Sequence, residues 1–273
     1  MRILLSALAL LAAAASAQPA PVAVQAPDVP AGMQWLYGSG EGAAASIEAY
    51  RAFETYVLAK ARSRPRSSVI LADGATLERP SFVPCGRKPL AVVLDADETA
   101  LQNLGLEYAI AAHRDADSKL LGRWQDAPRA QVAPMPGAVT ALRTIRARGV
   151  MVIFNSNRDA AKAAETAATM ANAGLGPVRH GETLFLRGDA GGDSGKDGRR
   201  SAIAKRWCVV AMAGDQLGDF SDRFNARDLP VAERRRLAAA RPLASLWGNG
   251  WFLLSNPVYG PGLRGSEKGG RQG

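Results

Sequence analysis

The stretch AVVLDADETALQN, residues 91–103, carries four apolar residues straight into Asp95, Asp97 and Glu98. Carboxylates that close together repel one another and lose solvation unless something positive sits among them. The apolar run belongs to a set: LAVVLD at 90–95, VMVIFN at 150–155, TLFLR at 183–187, WCVVAMAGD at 207–215 and WFLLS at 251–255. These runs are continuous rather than alternating, as parallel strands covered on both faces read. Between them lie helical patterns. One follows Pro136 with Val139, Leu142 and Ile145 and stops at Gly149. A second runs from about Asp159 to Gly174, started by Ser156 or Asn157, and a third covers about Gly198 to Arg206. Strand alternating with helix predicts an α/β fold, a doubly wound and mainly parallel sheet whose sites lie beyond the carboxyl ends of the strands.

Those ends hold most of the reactive residues. The first strand delivers Asp95 and Asp97, the second Ser156, Asn157 and Arg158, and the fourth Asp215 with Asp219 beyond it. Lys196 lies in a Gly-rich loop ahead of the fourth strand. Four aspartates facing one crevice need a cation, and hard oxygen donors with little His or Cys select Mg²⁺, one ion per site. An EF-hand loop starting at Asp95 fails at Ala100 and Leu106, and a P-loop ending at Lys196 fails at Ala190 and Asp197. His113 and His180 read as surface or capping residues.

The ends of the chain set its organisation. Residues 1–17 have a charged start at Arg2, an apolar run and the small-residue pattern Ala15-Ser16-Ala17, and so read as a cleaved signal peptide. The apolar run is short for a membrane span, which predicts a periplasmic or secreted protein with no transmembrane anchor. Residues 18–32 read as an extended leader and 264–273 as a disordered tail. Residues 33–263 are one domain. Its core sheet covers about 88–100 and 135–260, with a small helical subdomain from about 33–80 and 104–130. The formal net charge of +9, or +8 without Arg2, suits nucleic acid, an anionic surface, phosphorylated small molecules or simple solubility. The basic residues are scattered and lack interleaved aromatics, which argues against a dedicated nucleic-acid surface.

Asp95-Ala96-Asp97-Glu98-Thr99 resembles the first motif of the haloacid dehalogenase (HAD) superfamily, and Ser156, Lys196 and the pair Asp215/Asp219 resemble its second, third and fourth motifs in order. A narrower likeness adds PGAV at 136–139, FNSNR at 154–158, SGKDGRR at 194–200, GDQLGDF at 214–220 and SNPVYG at 255–260. These are similar to bacterial class C acid phosphatases, the group that includes the outer-membrane lipoprotein 5′-nucleotidases. The lipoprotein cysteine is missing, Gln216 stands where Asn is usual, and Ser255 where Pro is usual. The resemblance implies an acid phosphatase acting on small phosphomonoesters, nucleoside monophosphates included. It implies Asp95 as nucleophile, Asp97 as acid and base, and Mg²⁺ on Asp95, Asp215, Asp219 and the backbone carbonyl of Asp97. Ser156, Asn157 and Lys196 would hold the phosphoryl oxygens, and Tyr259 would stack on a base. Arg158 and Arg199 would contact phosphate or form surface salt bridges. A phosphotransferase and a non-catalytic phosphate-binding protein are the alternatives.

Other residues have plainer readings. Glu98 reads as a helix-start acid, and Asp189, Asp193 and Asp197 as solvated turn residues. Trp35, Tyr37, Phe82 and Trp124 read as core. Given that fold, the first strand lies beside the one ending in Asp215. Cys85 and Cys208 then fall near the amino ends of neighbouring strands and are expected to form a disulfide, with two buried thiols as the competing reading.

Overall fold

The computed structural model describes residues 29–113, 132–190 and 194–264. The stretch expected to be a signal peptide, most of the expected leader, the larger part of the 104–130 insertion with Trp124, Asp193 and the residues beyond Arg264 lie outside the described residues. The side chain of His113 does too. A short turn over Ala31–Met33 and Gln34–Gly38 leads into helix α1, Gly40–Ser63. Ser39 caps that helix by accepting from the Gly42 N–H at 2.9 Å while its hydroxyl donates to the Trp35 carbonyl. The helix stops at Ser63, so the expectation of helix through residue 80 fails. The run Ser67–Leu71 is rich in β-branched and aliphatic residues and instead forms strand β1, paired antiparallel with β2, Phe82–Pro84.

The main sheet follows. Strand β3 is Leu90–Leu94, and β4, Leu101–Gln102, leads to helix α2, Leu104–His113. Strand β5, Ala133–Pro134, pairs back onto β4. Then come α3, Ala138–Ala147; β6, Met151–Asp159; α4, Ala163–Asn172; and β7, Leu184–Ala190. Helix α5, Asp197–Arg206, β8, Cys208–Gly214, α6, Val231–Ala239, and β9, Trp251–Leu253, complete the set. Five strands form one parallel sheet in the order β7-β6-β3-β8-β9. The doubly wound α/β expectation therefore holds.

Both sheet faces are buried, which explains the unbroken apolar runs. Along β3, Val92 and Leu94 enter one core with Phe53, Leu142 and Phe154. Ala91 and Val93 enter the opposite core with Ile203, Val209 and Trp251. Helix α1 presents Tyr50, Phe53 and Val57 to the first core and packs against α3, β8 and β9. It is a layer of the main fold rather than part of a separate cap. The second helix starts later than expected because β6 runs on to Asp159, which pairs with Arg187 of β7. Ser156 and Asn157 thus lie in the strand, and Asp159 caps the following turn through the Ala161 N–H.

Cys208 lies opposite Leu90 at the amino end of β8, and it is bonded to Cys85 with Cα atoms 4.7 Å apart. This is the end of the sheet away from the aspartates. Replacing both cysteines by Ala should lower stability by about 2–4 kcal/mol, given the long loop closed, while kcat stays within about twofold. Urea unfolding beside steady-state assays checks this, and thiol titration of the denatured, unreduced protein should find no free thiol.

Candidate active site

Register decides what meets at the carboxyl end of the sheet. Leu94 pairs with Phe154 on one side and Ala213 on the other, and the Asp95 N–H donates to the Ala213 carbonyl at 3.0 Å. The next residues of three strands therefore emerge side by side: Asp95 from β3, Asn155 and Ser156 from β6, and Gly214-Asp215 from β8. Gly214 is required there, since a Cβ would stand 2.2 Å from the Asp219 Cβ. That close approach brings Asp219 back beside Asp215.

Asp95, Asp215 and Asp219 each offer a carboxylate oxygen, all within 4.8 Å of one another. Lys196 bridges Asp95 and Asp219, at 2.6 Å from the latter. Burial pushes the Asp95 carboxyl well up, partly offset by Lys196 and reinforced by Asp219 and Asp215. Asp215 is raised to about 7 by burial and then by Asp219. Lys196 is lifted above its ordinary range by Asp219 and Asp95, against its own burial. One ammonium does not balance three buried carboxylates.

Asp97 lives in different surroundings. Arg158 grips it through Nε at 2.9 Å and Nη2 at 2.7 Å, Asn103 donates to it at 2.7 Å, and the Ser156 hydroxyl lies at 3.5 Å. Burial pushes its carboxyl up, but Arg158 outweighs that and holds it below the ordinary carboxylate range. The two first-motif aspartates are thus driven apart in proton affinity, with Asp97 the ionised one. Arg158 makes no surface salt bridge: it is 3 % exposed, pairs with Asp97 and lines the cleft beside it. Replacing it by Met leaves Asp97 half-buried without its partner and should cost about 2–3 kcal/mol, less than a fully buried pair would because Asp97 keeps some solvent. Adding Asp97→Asn should restore part of that loss in urea unfolding.

Several neighbours were given no role by sequence reasoning. Asp215 accepts from Thr99 at 2.9 Å, Asn256 at 2.8 Å and Gln216 at 3.0 Å. Asn256 also accepts from the Val258 and Tyr259 N–H groups, which shapes the loop carrying Tyr259. Glu98 is no helix-start acid. It has φ 52°, is 1 % exposed, and accepts from the Tyr37 hydroxyl at 2.9 Å, the Tyr259 hydroxyl and the Asn103 N–H at 2.8 Å. Tyr37 and Tyr259 are thereby tied to the first-motif loop from both ends of the described chain. Asp197 is no solvated turn residue either. Its carboxylate accepts from Arg200 and from the Asp222 N–H, while Asp222 accepts from the N–H groups of Lys196 and Asp197. That lattice anchors the loop presenting Lys196. Asp189 accepts from His180 and from the Leu186 N–H. The signal for Thr99 and Asn256 was present, since both fall in motifs quoted for the family, but nothing local said which carboxylate they serve.

A cavity of about 480 Å³ opens over this cluster, lined by Asp95, Asp97, Asn157, Arg158, Lys196 and Tyr259 among others. A larger apolar groove of about 830 Å³ between α1 and α6 has no comparable convergence of reactive groups and only borders Asp215. Two neighbouring carboxylates of opposite proton preference and an acidic triad able to hold a cation, gathered in one cleft, suit phosphoryl transfer.

A family model for the HAD superfamily, subfamily IIIB (acid phosphatase), matches residues 45–262. The chain belongs to that family. Its enzyme class is accordingly that of a phosphoric monoester hydrolase. Two solved structures of the class C acid phosphatase from Bacillus anthracis share its fold. One superposes with a TM-score of 0.66 at 22% identity over 84% of both chains. The other, with tungstate bound, gives 0.64 at the same identity and coverage. Among the described residues no helix is long and apolar enough to cross a membrane.

Proposed function

We propose that this acid phosphatase hydrolyses phosphomonoesters, nucleoside monophosphates among them, through an aspartyl-phosphate on Asp95 with Mg²⁺ as cofactor. The observation that carries the reading is the convergence of Asp95, Asp215, Asp219 and Lys196 at the carboxyl ends of adjacent strands. The donor set fits Mg²⁺: the oxygens are hard, three carboxylates face one ammonium, and burial with repulsion from Asp219 raises Asp215 to about 7. Asp95, Asp215, Asp219 and the Asp97 carbonyl would hold the ion, which when bound supplies positive charge against the phosphoryl oxygens.

The chain's own groups do the rest. An Asp95 carboxylate oxygen bonds to phosphorus as the ester P–O bond breaks. Asp97 gives the leaving alkoxide its proton, then removes one from the water that cleaves the acyl phosphate. Because Arg158 favours ionised Asp97, the second half-reaction suits the resting site. Donation in the first half requires the guanidinium to loosen its grip as the anionic phosphoryl group arrives. Ser156, Asn157 and Lys196 hold the phosphoryl oxygens, and Tyr259 offers its ring to a base while its hydroxyl stays on Glu98. The chain is exported after cleavage behind Ala17 and works in the periplasm or outside the cell, a reading supported by residues 1–17 alone.

Acid quenching during turnover of a ³²P-labelled nucleoside monophosphate tests the mechanism. Label should remain on the peptide containing Asp95. Phosphate release with no label on the protein at any quench time would defeat the covalent route.

A further inference from the structure

Arg199 is a charge the mechanism does not use. It sits on α5, is 1 % exposed, and does not line the catalytic cavity. Among the described residues no carboxylate forms an ion pair with it, and its Nη1 is buried without a partner. Burial, then the neighbouring Arg200, lowers its pKa. A buried guanidinium without a carboxylate is a costly way to fill space, so a role in packing alone does not account for it.

Its two hydrogen bonds share one form. Nε donates to the Asn155 Oδ1 at 2.6 Å, and Nη2 donates to the Asn157 Oδ1 at 2.5 Å. A guanidinium has only donors, so each carboxamide must turn its oxygen inward and its NH₂ group the other way. The Asn155 NH₂ then reaches the Lys196 carbonyl at 3.4 Å, which links the strand β6 end to the lysine loop. Asn157 is exposed and lines the cavity.

We propose that Arg199 is a positioning residue that fixes the Asn157 amide so its N–H donors, and not its oxygen, face the phosphoryl group. A side chain free to flip would present an acceptor to an anion part of the time, and the anion would bind more weakly. A charge that does not line the cavity thereby sets the direction of a neutral dipole that does. The inference rests on the reading that Asn157 contacts the phosphoryl oxygens.

A double-mutant cycle tests it, using competitive inhibition by inorganic phosphate and the KM and kcat of p-nitrophenyl phosphate in the Mg²⁺-loaded full chain. Asn157→Ala should raise the phosphate Ki about tenfold, as loss of one hydrogen bond to a charged group would. Arg199→Met should raise it by a similar factor alone and by less than about twofold in the Asn157→Ala background. Arg199→Lys keeps the charge but not the fork, and should behave like the Met variant. An unchanged Ki in Asn157→Ala defeats the underlying site reading. A changed Ki there, with Arg199→Met either silent or equally damaging in both backgrounds, overturns the role of Arg199 alone. A wild-type Ki in Arg199→Lys also overturns it, by showing that charge suffices without orientation. If the Met variant does not fold, the Lys variant carries the cycle.

Discussion

Asp95→Asn yields a folded protein whose phosphate release falls by at least about a thousandfold, the scale on which loss of a covalent nucleophile is felt. The amide is isosteric with the carboxylate, so the strand end and its N–H bond to Ala213 persist. It cannot form an acyl phosphate, and it carries no charge toward the phosphorus. Stability should hold or rise. Burial already works against an ionised Asp95, with Asp219 and Asp215 adding repulsion, and Lys196 keeps Asp219 as a partner when Asp95 is neutral. The expected pattern is therefore an inactive enzyme with an unchanged or higher melting temperature. Activity above about a tenth of wild type in the purified, folded variant would remove Asp95 from the nucleophile's role.

Stripping divalent metal should abolish turnover, and Mg²⁺ should restore it. Three buried carboxylates against one ammonium leave the cluster short of positive charge, and an ion among them would favour the ionised form of Asp215, which burial and then repulsion from Asp219 lift to about 7. Binding only to the folded state adds stability, about 2.7 kcal/mol when Mg²⁺ stands at a hundred times its dissociation constant. Addition of Mg²⁺ should thus raise the melting temperature of the stripped protein. Asp215→Asn should blunt that rise and increase the Mg²⁺ needed for half activity by at least about tenfold. Full activity in excess chelator, with bound metal measured as zero, would contradict the assignment.

Much of this site was legible before any coordinates. Parallel strands buried on both faces read as continuous apolar runs, so β3, β6, β7, β8 and β9 could be located from hydrophobicity alone. The doubly wound topology then sends all carboxyl ends to one crevice, which groups Asp95, Asp97, Ser156, Lys196, Asp215 and Asp219 without knowledge of any contact. The cysteine pair followed from the same strand alignment. The errors cluster where local pattern competes with pairing. Ser156 and Asn157 look like helix caps, yet strand β6 runs through them to Asp159, which pairs again with Arg187 of β7 after an irregularity.

The sequence by itself determined the strand set, the acidic cluster and its demand for a cation, because burial pattern and carboxylate repulsion are properties of short stretches. Only the tertiary structure decided who answers each charge. Arg158 goes to Asp97 across 61 positions, Thr99 to Asp215 across 116 and Tyr259 to Glu98 across 161. A side chain's partner depends on which groups the folded backbone brings within about 3 Å, and that is set by strand register and loop shape rather than by neighbours along the chain. For that reason Glu98 reads as a helix acid in sequence and becomes, in the fold, the buried acceptor that ties two tyrosines to the catalytic loop.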